Sequence, residues 1–134
     1  MLPTVYRIDV EGIIAPATAR YILRAIRQAE EARVEALLIR LDTPGGLLTS
    51  MDQITKAMLN ASVPIIVFVA PEGARAASAG VFITYAAHLA AMAPATGFGG
   101  AHPGGVGLGG EGEQDRTLME KITNDAVANI RGIA

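Results

Sequence analysis

The chain has 134 residues, a one-domain length that can bury a core without disulfides or metals. It carries 11 basic and 13 acidic residues, a formal charge of −2, and no basic stripe interleaved with aromatics, which argues against a nucleic-acid partner. Cysteine is absent, so thiolate metal sites and a disulfide framework are excluded, and a 51% hydrophobic content with only 4% aromatic predicts a core of Ala, Val, Ile and Leu.

The opening Met1-Leu2-Pro3-Thr4 lacks the basic head and long apolar run of a signal peptide. Val5–Val10 alternates loosely and predicts a first strand, ended by Glu11-Gly12. Pro16 suits the first turn of a helix in which Ile22, Ala25, Ile26 and Ala29 share one face. Arg20, Arg24, Arg27, Glu30 and Glu31 form its wet face. Ala36–Leu41, apolar but for Arg40, has the pattern of a buried parallel strand, and Gly45-Gly46 is the turn after it. Ser50 is expected to cap a second helix with Leu47, Met51, Ile54, Met58 and Ala61 on one face. Ile65–Val69, between Pro64 and Pro71, predicts a third strand.

Beyond Ser78, Val81–Ala87 predicts a short buried helix and Leu89–Ala93 a fourth strand. Gly97–Gly112 is a glycine-rich loop, too long for a simple connector. Arg116–Ile133 predicts a final amphipathic helix. The uncharged stretch Ala76–Ala101 is long enough for a membrane span, but its polar residues and glycines favour a buried helix–strand pair. Strand–helix repetition with short links predicts an α/β fold with a parallel sheet.

The candidate chemistry lies in few side chains. Ser78, in Ala76-Ala77-Ser78-Ala79-Gly80, falls at a predicted junction into a helix, among small neighbours that leave room for a substrate. A serine attacks only if a base takes its proton and donors meet the charge that develops on the carbonyl. Taken alone, the pentapeptide fits a serine that merely caps a helix better than a nucleophile. Gly45-Gly46 follows a buried strand, where sites form in open α/β sheets, and glycine lets backbone N–H groups face a ligand. A tight turn explains the pair as well. Two bases compete. Lys121 is flanked by Met119 and Ile122 and works only when neutral, far from its usual pKa of about 10.4. His102 needs no large shift, with Glu111, Glu113 and Asp115 nearby as orienting carboxylates. Either can instead be an ordinary surface residue. His88 reads as structural. Gly105–Gly110 matches G-x-G-x-x-G, but it follows no strand and runs into acidic residues, so it is not read as a dinucleotide loop.

Four runs in this order, Ile8-Asp9-Val10-Glu11-Gly12-Ile13-Ile14, Leu41-Asp42-Thr43-Pro44-Gly45-Gly46, Ala77-Ser78-Ala79-Gly80 and Gly100-Ala101-His102-Pro103, resemble the NfeD-type membrane proteases of the wider ClpP/crotonase fold group. The resemblance covers essentially the whole chain. It implies a ClpP/crotonase-like spiral of ββα units in a single domain over residues 1–134, with no cofactor or metal. It implies a serine endopeptidase with Ser78 as nucleophile, Lys121 as the base of a Ser/Lys dyad, and Gly46 and Ala79 at the oxyanion-hole positions. His102 stays the alternative base, near the position of the histidine in ClpP-like peptidases. The implied substrates are apolar segments of stomatin- or prohibitin-like membrane proteins, and the implied assembly is a homo-oligomer.

The family domain continues past the helix that ends near Ala134 and is followed by membrane spans. The chain is therefore expected to be a fragment, incomplete at its C-terminal end, soluble by itself and tied to the membrane only through missing segments, with the protease domain extracytoplasmic. Two rivals share the motifs: a crotonase-like acyl-CoA enzyme using carboxylates such as Asp42 or Glu72, and an inactive domain that only binds a membrane partner.

Overall fold

Strand–helix alternation becomes a parallel α/β layer in the computed structural model, which describes residues 3–99. In chain order the elements are β1 (Val5–Glu11), α1 (Pro16–Ala32), β2 (Ala36–Asp42), α2 (Leu48–Leu59), β3 (Ile65–Val69), β4 (Arg75–Ala76), α3 (Ala79–Tyr85), β5 (Leu89–Met92) and β6 (Gly97–Phe98). The main sheet has the order β1-β2-β3-β5, every pair parallel. Registers such as Val10↔Leu41 and Leu41↔Val69 bring the carboxyl ends of β1, β2 and β3 level.

The period of two decides which side chains the helices cover. Leu37, Ile39 and Leu41 of β2, and Ile65, Val67 and Val69 of β3, are all fully buried on one face. On that face lie Ile22, Ile26 and Ala29 of α1, Ile54 and Met58 of α2, and Ile83 of α3, in one continuous core. Burying one such aliphatic side chain stabilises by about 1.5–3 kcal/mol, so this layer holds the sheet together. The opposite face carries the residues between, Leu38, Arg40, Ile66 and Phe68, all half-buried. That position explains the lone Arg40 in an apolar strand: its Nε meets Asp9 Oδ1 of β1 at 3.1 Å, as does Nε of Arg7. The two guanidinium groups, Arg7 first, hold the Asp9 carboxyl below its ordinary value of 3.8.

Helix α1 begins at Pro16, as expected. The Thr18 hydroxyl accepts the Ala15 N–H at 3.2 Å and donates to Ile13 C=O at 2.8 Å, closing the first turn. The second helix differs from the sequence expectation. It starts at Leu48 with Leu47 at the N-cap position, and Ser50 is a buried residue inside the first turn rather than the cap. Leu47 is 52% exposed and does not join Met51, Ile54 and Met58 in the core. The third helix starts at Ala79, two residues earlier than expected, directly after Ser78. His88 is structural, as expected: its Nδ1 accepts the Ile65 N–H at 3.0 Å while its own N–H donates to Ile65 C=O at 2.8 Å.

The two-residue strands β4 and β6 were not expected. They pair in parallel, Arg75↔Gly97 and Ala76↔Phe98, so the segment expected to be a loop from Gly97 begins as a strand. Tyr85 packs on Phe98 with ring centroids 6.1 Å apart. Among the described residues no helix is long and apolar enough to cross a membrane; residues 79–92 form the helix–strand pair favoured for that uncharged stretch. The predicted helix Arg116–Ile133 lies outside the described residues.

Candidate active site

Three segments leave the carboxyl ends of β1, β2 and β3 and meet, where open α/β sheets form their sites. The first ends on Ile14, fully buried. The second is Thr43-Pro44-Gly45-Gly46. The third runs through β4 to Ser78. Backbone hydrogen bonds lace them together. Gly12 N–H donates to Asp42 C=O at 2.9 Å, and Ile14 N–H to Gly45 C=O at 2.9 Å. Leu47 N–H donates back to Ile14 C=O at 2.8 Å. On the other side Thr43 N–H donates to Arg75 C=O at 2.7 Å, and Ala77 N–H to Thr43 C=O at 3.1 Å. The Thr43–Gly46 segment is thus an irregular strand held between the ends of β1 and β4.

That lacing orients Gly46. Ile14 bonds to Gly45 C=O and Leu47 N–H, the groups on either side of Gly46, as in a parallel bridge. The intervening Gly46 N–H therefore faces away from Ile14. A Cβ on Gly46 would overlap the Ile14 backbone, so the close approach requires glycine. Gly45 has φ +116°, and a Cβ there would stand 2.7 Å from Ser78 Cβ and 3.1 Å from its Oγ. The glycine pair is more than a tight turn: its first member lies against the candidate serine.

Ser78 stands between β4 and α3 with φ 54° and ψ −115°. This backbone conformation costs a non-glycine residue on the order of 1–3 kcal/mol and is concentrated at functional sites. It is also the sharp strand-to-helix bend that lifts a side chain clear of both elements. The helix-cap explanation of Ser78 fails on two counts: no capping bond is made from its side chain, and among the described residues its Oγ has no hydrogen-bond partner. Ser78 is exposed. Ala79 begins α3, where the first N–H groups lack intrahelical acceptors. Among the described residues neither Ala79 N–H nor Gly46 N–H has an acceptor.

Helix α3 is fixed behind the serine. Gly80 N–H donates to Ala77 C=O at 2.9 Å, and the Thr84 hydroxyl donates to Gly80 C=O at 2.7 Å. A Cβ on Gly80 would stand 2.6 Å from Thr43 Cγ2, so α3 approaches the Thr43 segment as closely as glycine allows. Thr43 escaped the sequence reading as a functional candidate. It is fully buried, and its Oγ1 accepts the Gly45 N–H at 3.0 Å and donates to Gly45 C=O at 3.3 Å. Its only sequence signal is a hydroxyl two residues before the glycine.

Asp42, a candidate acid for the acyl-CoA alternative, is engaged elsewhere: its Oδ1 accepts the Arg75 N–H at 3.1 Å. No cluster of three or more His, Asp or Glu side chains suited to a metal occurs among the described residues. The structure therefore brings Ser78, Ala79 and the Gly45-Gly46 loop together. Both candidate bases, Lys121 and His102, lie outside the described residues.

The parallel sheet flanked by helices is the architecture of a ClpP-like α/β domain. A ClpP1 variant from Listeria monocytogenes superposes with a TM-score of 0.62 over 90% of this chain and 71% of that one, at 19% identity, a likeness of fold alone. The chain belongs to the NfeD1b N-terminal domain family, whose model matches residues 4–129.

Among its relatives is the membrane-bound protease PH1510 of Pyrococcus horikoshii, 39% identical over 133 residues, which are 97% of this chain and 29% of that protein. The chain thus spans less than a third of that relative. The 1510-N membrane protease of Pyrococcus horikoshii, specific for a stomatin homolog, is similar in structure, with a TM-score of 0.72 and 40% identity over 75% of this chain and 51% of that one. A lysine-to-alanine variant of 1510-N, in complex with a substrate peptide, gives a TM-score of 0.71 and 41% identity over 72% of this chain and 44% of that one.

Proposed function

We propose that this chain is the catalytic domain of a serine endopeptidase with a Ser/Lys dyad. The observation that carries the reading is Ser78, exposed and strained at φ 54°, on the bend into α3 and against Gly45. Ser78 Oγ attacks the scissile carbonyl carbon, and its proton passes to a neutral Lys121 Nζ. The resulting oxyanion accepts hydrogen bonds from the N–H groups of Gly46 and Ala79. The C–N bond then breaks, the amine leaves with the proton from Lys121, and an acyl ester remains on Ser78. Lys121 next takes a proton from water, the hydroxide attacks the ester, and Ser78 Oγ regains its proton.

The substrates are apolar segments of membrane-associated proteins of the stomatin or prohibitin type. Exposed Ile13, Leu47 and Leu48 lie beside the glycine pair and offer apolar surface to such a segment. The naming of 1510-N for a stomatin homolog supports the same class. The domain works in a membrane-associated, extracytoplasmic setting and as a homo-oligomer, for which exposed Leu59 and Phe82 are further candidate contacts.

The test is digestion of a stomatin-derived peptide with an apolar run, read by mass spectrometry, with wild type and Ser78→Ala. Cleavage lost in Ser78→Ala, with melting unchanged, supports the reading. Equal cleavage by both places the nucleophile elsewhere. Absence of turnover with equal peptide binding by both favours a partner-binding domain.

A further inference from the structure

The inference concerns how the Gly46 N–H is aimed, and it rests on the peptidase reading above. Gly45 is flanked by two peptide planes. The Pro44–Gly45 plane carries the Gly45 N–H, and the Gly45–Gly46 plane carries both the Gly45 C=O and the Gly46 N–H. In a planar trans peptide the C=O and N–H point in opposite directions, so whatever holds the Gly45 oxygen also sets the direction of the Gly46 N–H. Two groups hold that oxygen: the Ile14 N–H at 2.9 Å and the Thr43 hydroxyl at 3.3 Å. The same hydroxyl accepts the Gly45 N–H at 3.0 Å, the shorter of its two bonds. One buried oxygen therefore contacts both planes around Gly45, a residue whose φ of +116° lies where glycine is otherwise freest.

The other branch of Thr43 packs against α3 at Gly80. Its Cγ2 lies where a Cβ on Gly80 would come within 2.6 Å, and Gly80 is two residues after Ser78. A β-branched side chain has few rotamers, so seating the methyl against α3 also fixes the direction of the hydroxyl. We propose that Thr43 is a positioning residue for peptide hydrolysis: its hydroxyl orients the Gly46 N–H, and its methyl sets that N–H at a fixed distance from Ser78. Thr43 is fully buried, so its role is exerted through Gly45 and α3.

The chemistry predicts a split between binding and turnover. The oxyanion exists only during reaction, so a misaimed donor lowers kcat and leaves KM nearly unchanged. Thr43→Val keeps the shape and the methyl but removes the hydroxyl. Thr43→Ser keeps the hydroxyl and loses the methyl. Full removal of an oxyanion donor costs on the order of 100- to 1000-fold in kcat; a donor that is present but misaimed loses less.

The experiment measures kcat and KM of wild type, Thr43→Val, Thr43→Ser and Ser78→Ala on one peptide, below the melting temperature of each protein. The expected result is a kcat roughly 10- to 100-fold lower for Thr43→Val with KM within about threefold, and recovery of most of that loss in Thr43→Ser. Thr43→Ala, which fits the site without strain, provides a second hydroxyl-free variant and, having lost the methyl as well, should be at least as impaired as Thr43→Val in kcat. Wild-type kcat in Thr43→Val, or Thr43→Ser as impaired as Thr43→Val, overturns the role of the hydroxyl while leaving the peptidase reading intact. Turnover that survives in Ser78→Ala removes that reading and this proposal with it.

Discussion

The backbone of Gly45 lies against the side chain of Ser78: a Cβ added to the glycine would stand 2.7 Å from the serine Cβ and 3.1 Å from its Oγ. Two residues 33 positions apart in the chain thus share one contact, made only when the ends of β2 and β4 are laced together through Thr43, Arg75 and Ala77.

Gly45→Ala should therefore be damaging twice over. Its φ of +116° strains any L side chain, and the new methyl displaces Ser78. The expected stability loss is about 1–3 kcal/mol by denaturant titration, with peptide cleavage at least tenfold slower at temperatures where the variant is folded. A variant with wild-type turnover would show that the Ser78 side chain does not need its present place.

Gly80→Ala sets helix propensity against packing. Alanine gains up to about 1 kcal/mol over glycine inside a helix. The new Cβ, however, meets Thr43 Cγ2 at 2.6 Å, and Thr43 is fully buried and cannot move aside. Overpacking of this kind costs about 1–3 kcal/mol, so net destabilisation is expected. Adding Thr43→Ser removes the opposing methyl and should restore part of the loss. Additive effects in the double-mutant cycle would mean that the two positions do not press on each other.

The choice of base is read from a pair of variants. If Lys121 accepts the proton, it must be neutral, and cleavage rises with pH. Lys121→Ala should then match Ser78→Ala, because members of a catalytic unit do not act additively. Lys121→Arg should fail as well, since guanidinium stays charged. His102→Ala should cost much less. A lethal His102→Ala with an active Lys121→Arg, and an acid limb near the ordinary histidine value of about 6.5, would transfer the role to His102.

Asp9 gives the pH dependence of the fold. Its carboxyl is held below 3.8 in the folded chain by Arg7 and Arg40. The unfolded chain therefore binds the proton more readily, and stability falls as pH drops. The contribution is complete above 3.8 and disappears as pH falls below it through the lowered value. The group is open to water, so the effect is small and screened by salt. Asp9→Asn should melt slightly below wild type at neutral pH in low salt, and the gap should close in strong acid or high salt. A gap that persists at low pH would assign the loss to packing.

Most of the framework is legible locally because hydrophobic periodicity is a local property. Ile65–Val69 is recovered to the residue, Ala36–Leu41 to within one residue, and the buried face of α1 in all but Ala19. Helix ends are less legible. Ser50 has the chemistry of a cap, yet the bond of Leu47 N–H to Ile14 starts α2 before it and carries Ser50 inside. Two-residue strands such as β4 and β6 show no period, since each exists only by pairing with the other.

The sequence by itself determined the alternation of strands and helices, the buried parallel strands, and the chemistry of Ser78 and the glycine pair, because residue type and spacing encode these. Only the tertiary structure decided that Ser78 takes φ 54° and leaves its Oγ without a partner among the described residues. It also decided that Gly45, not Gly46, lies against that serine, and that Thr43 joins the two glycine segments. Each of these depends on backbone bonds between the ends of different strands. A one-residue change in their register would turn the same side chains the other way, and nothing in a local pattern records that register.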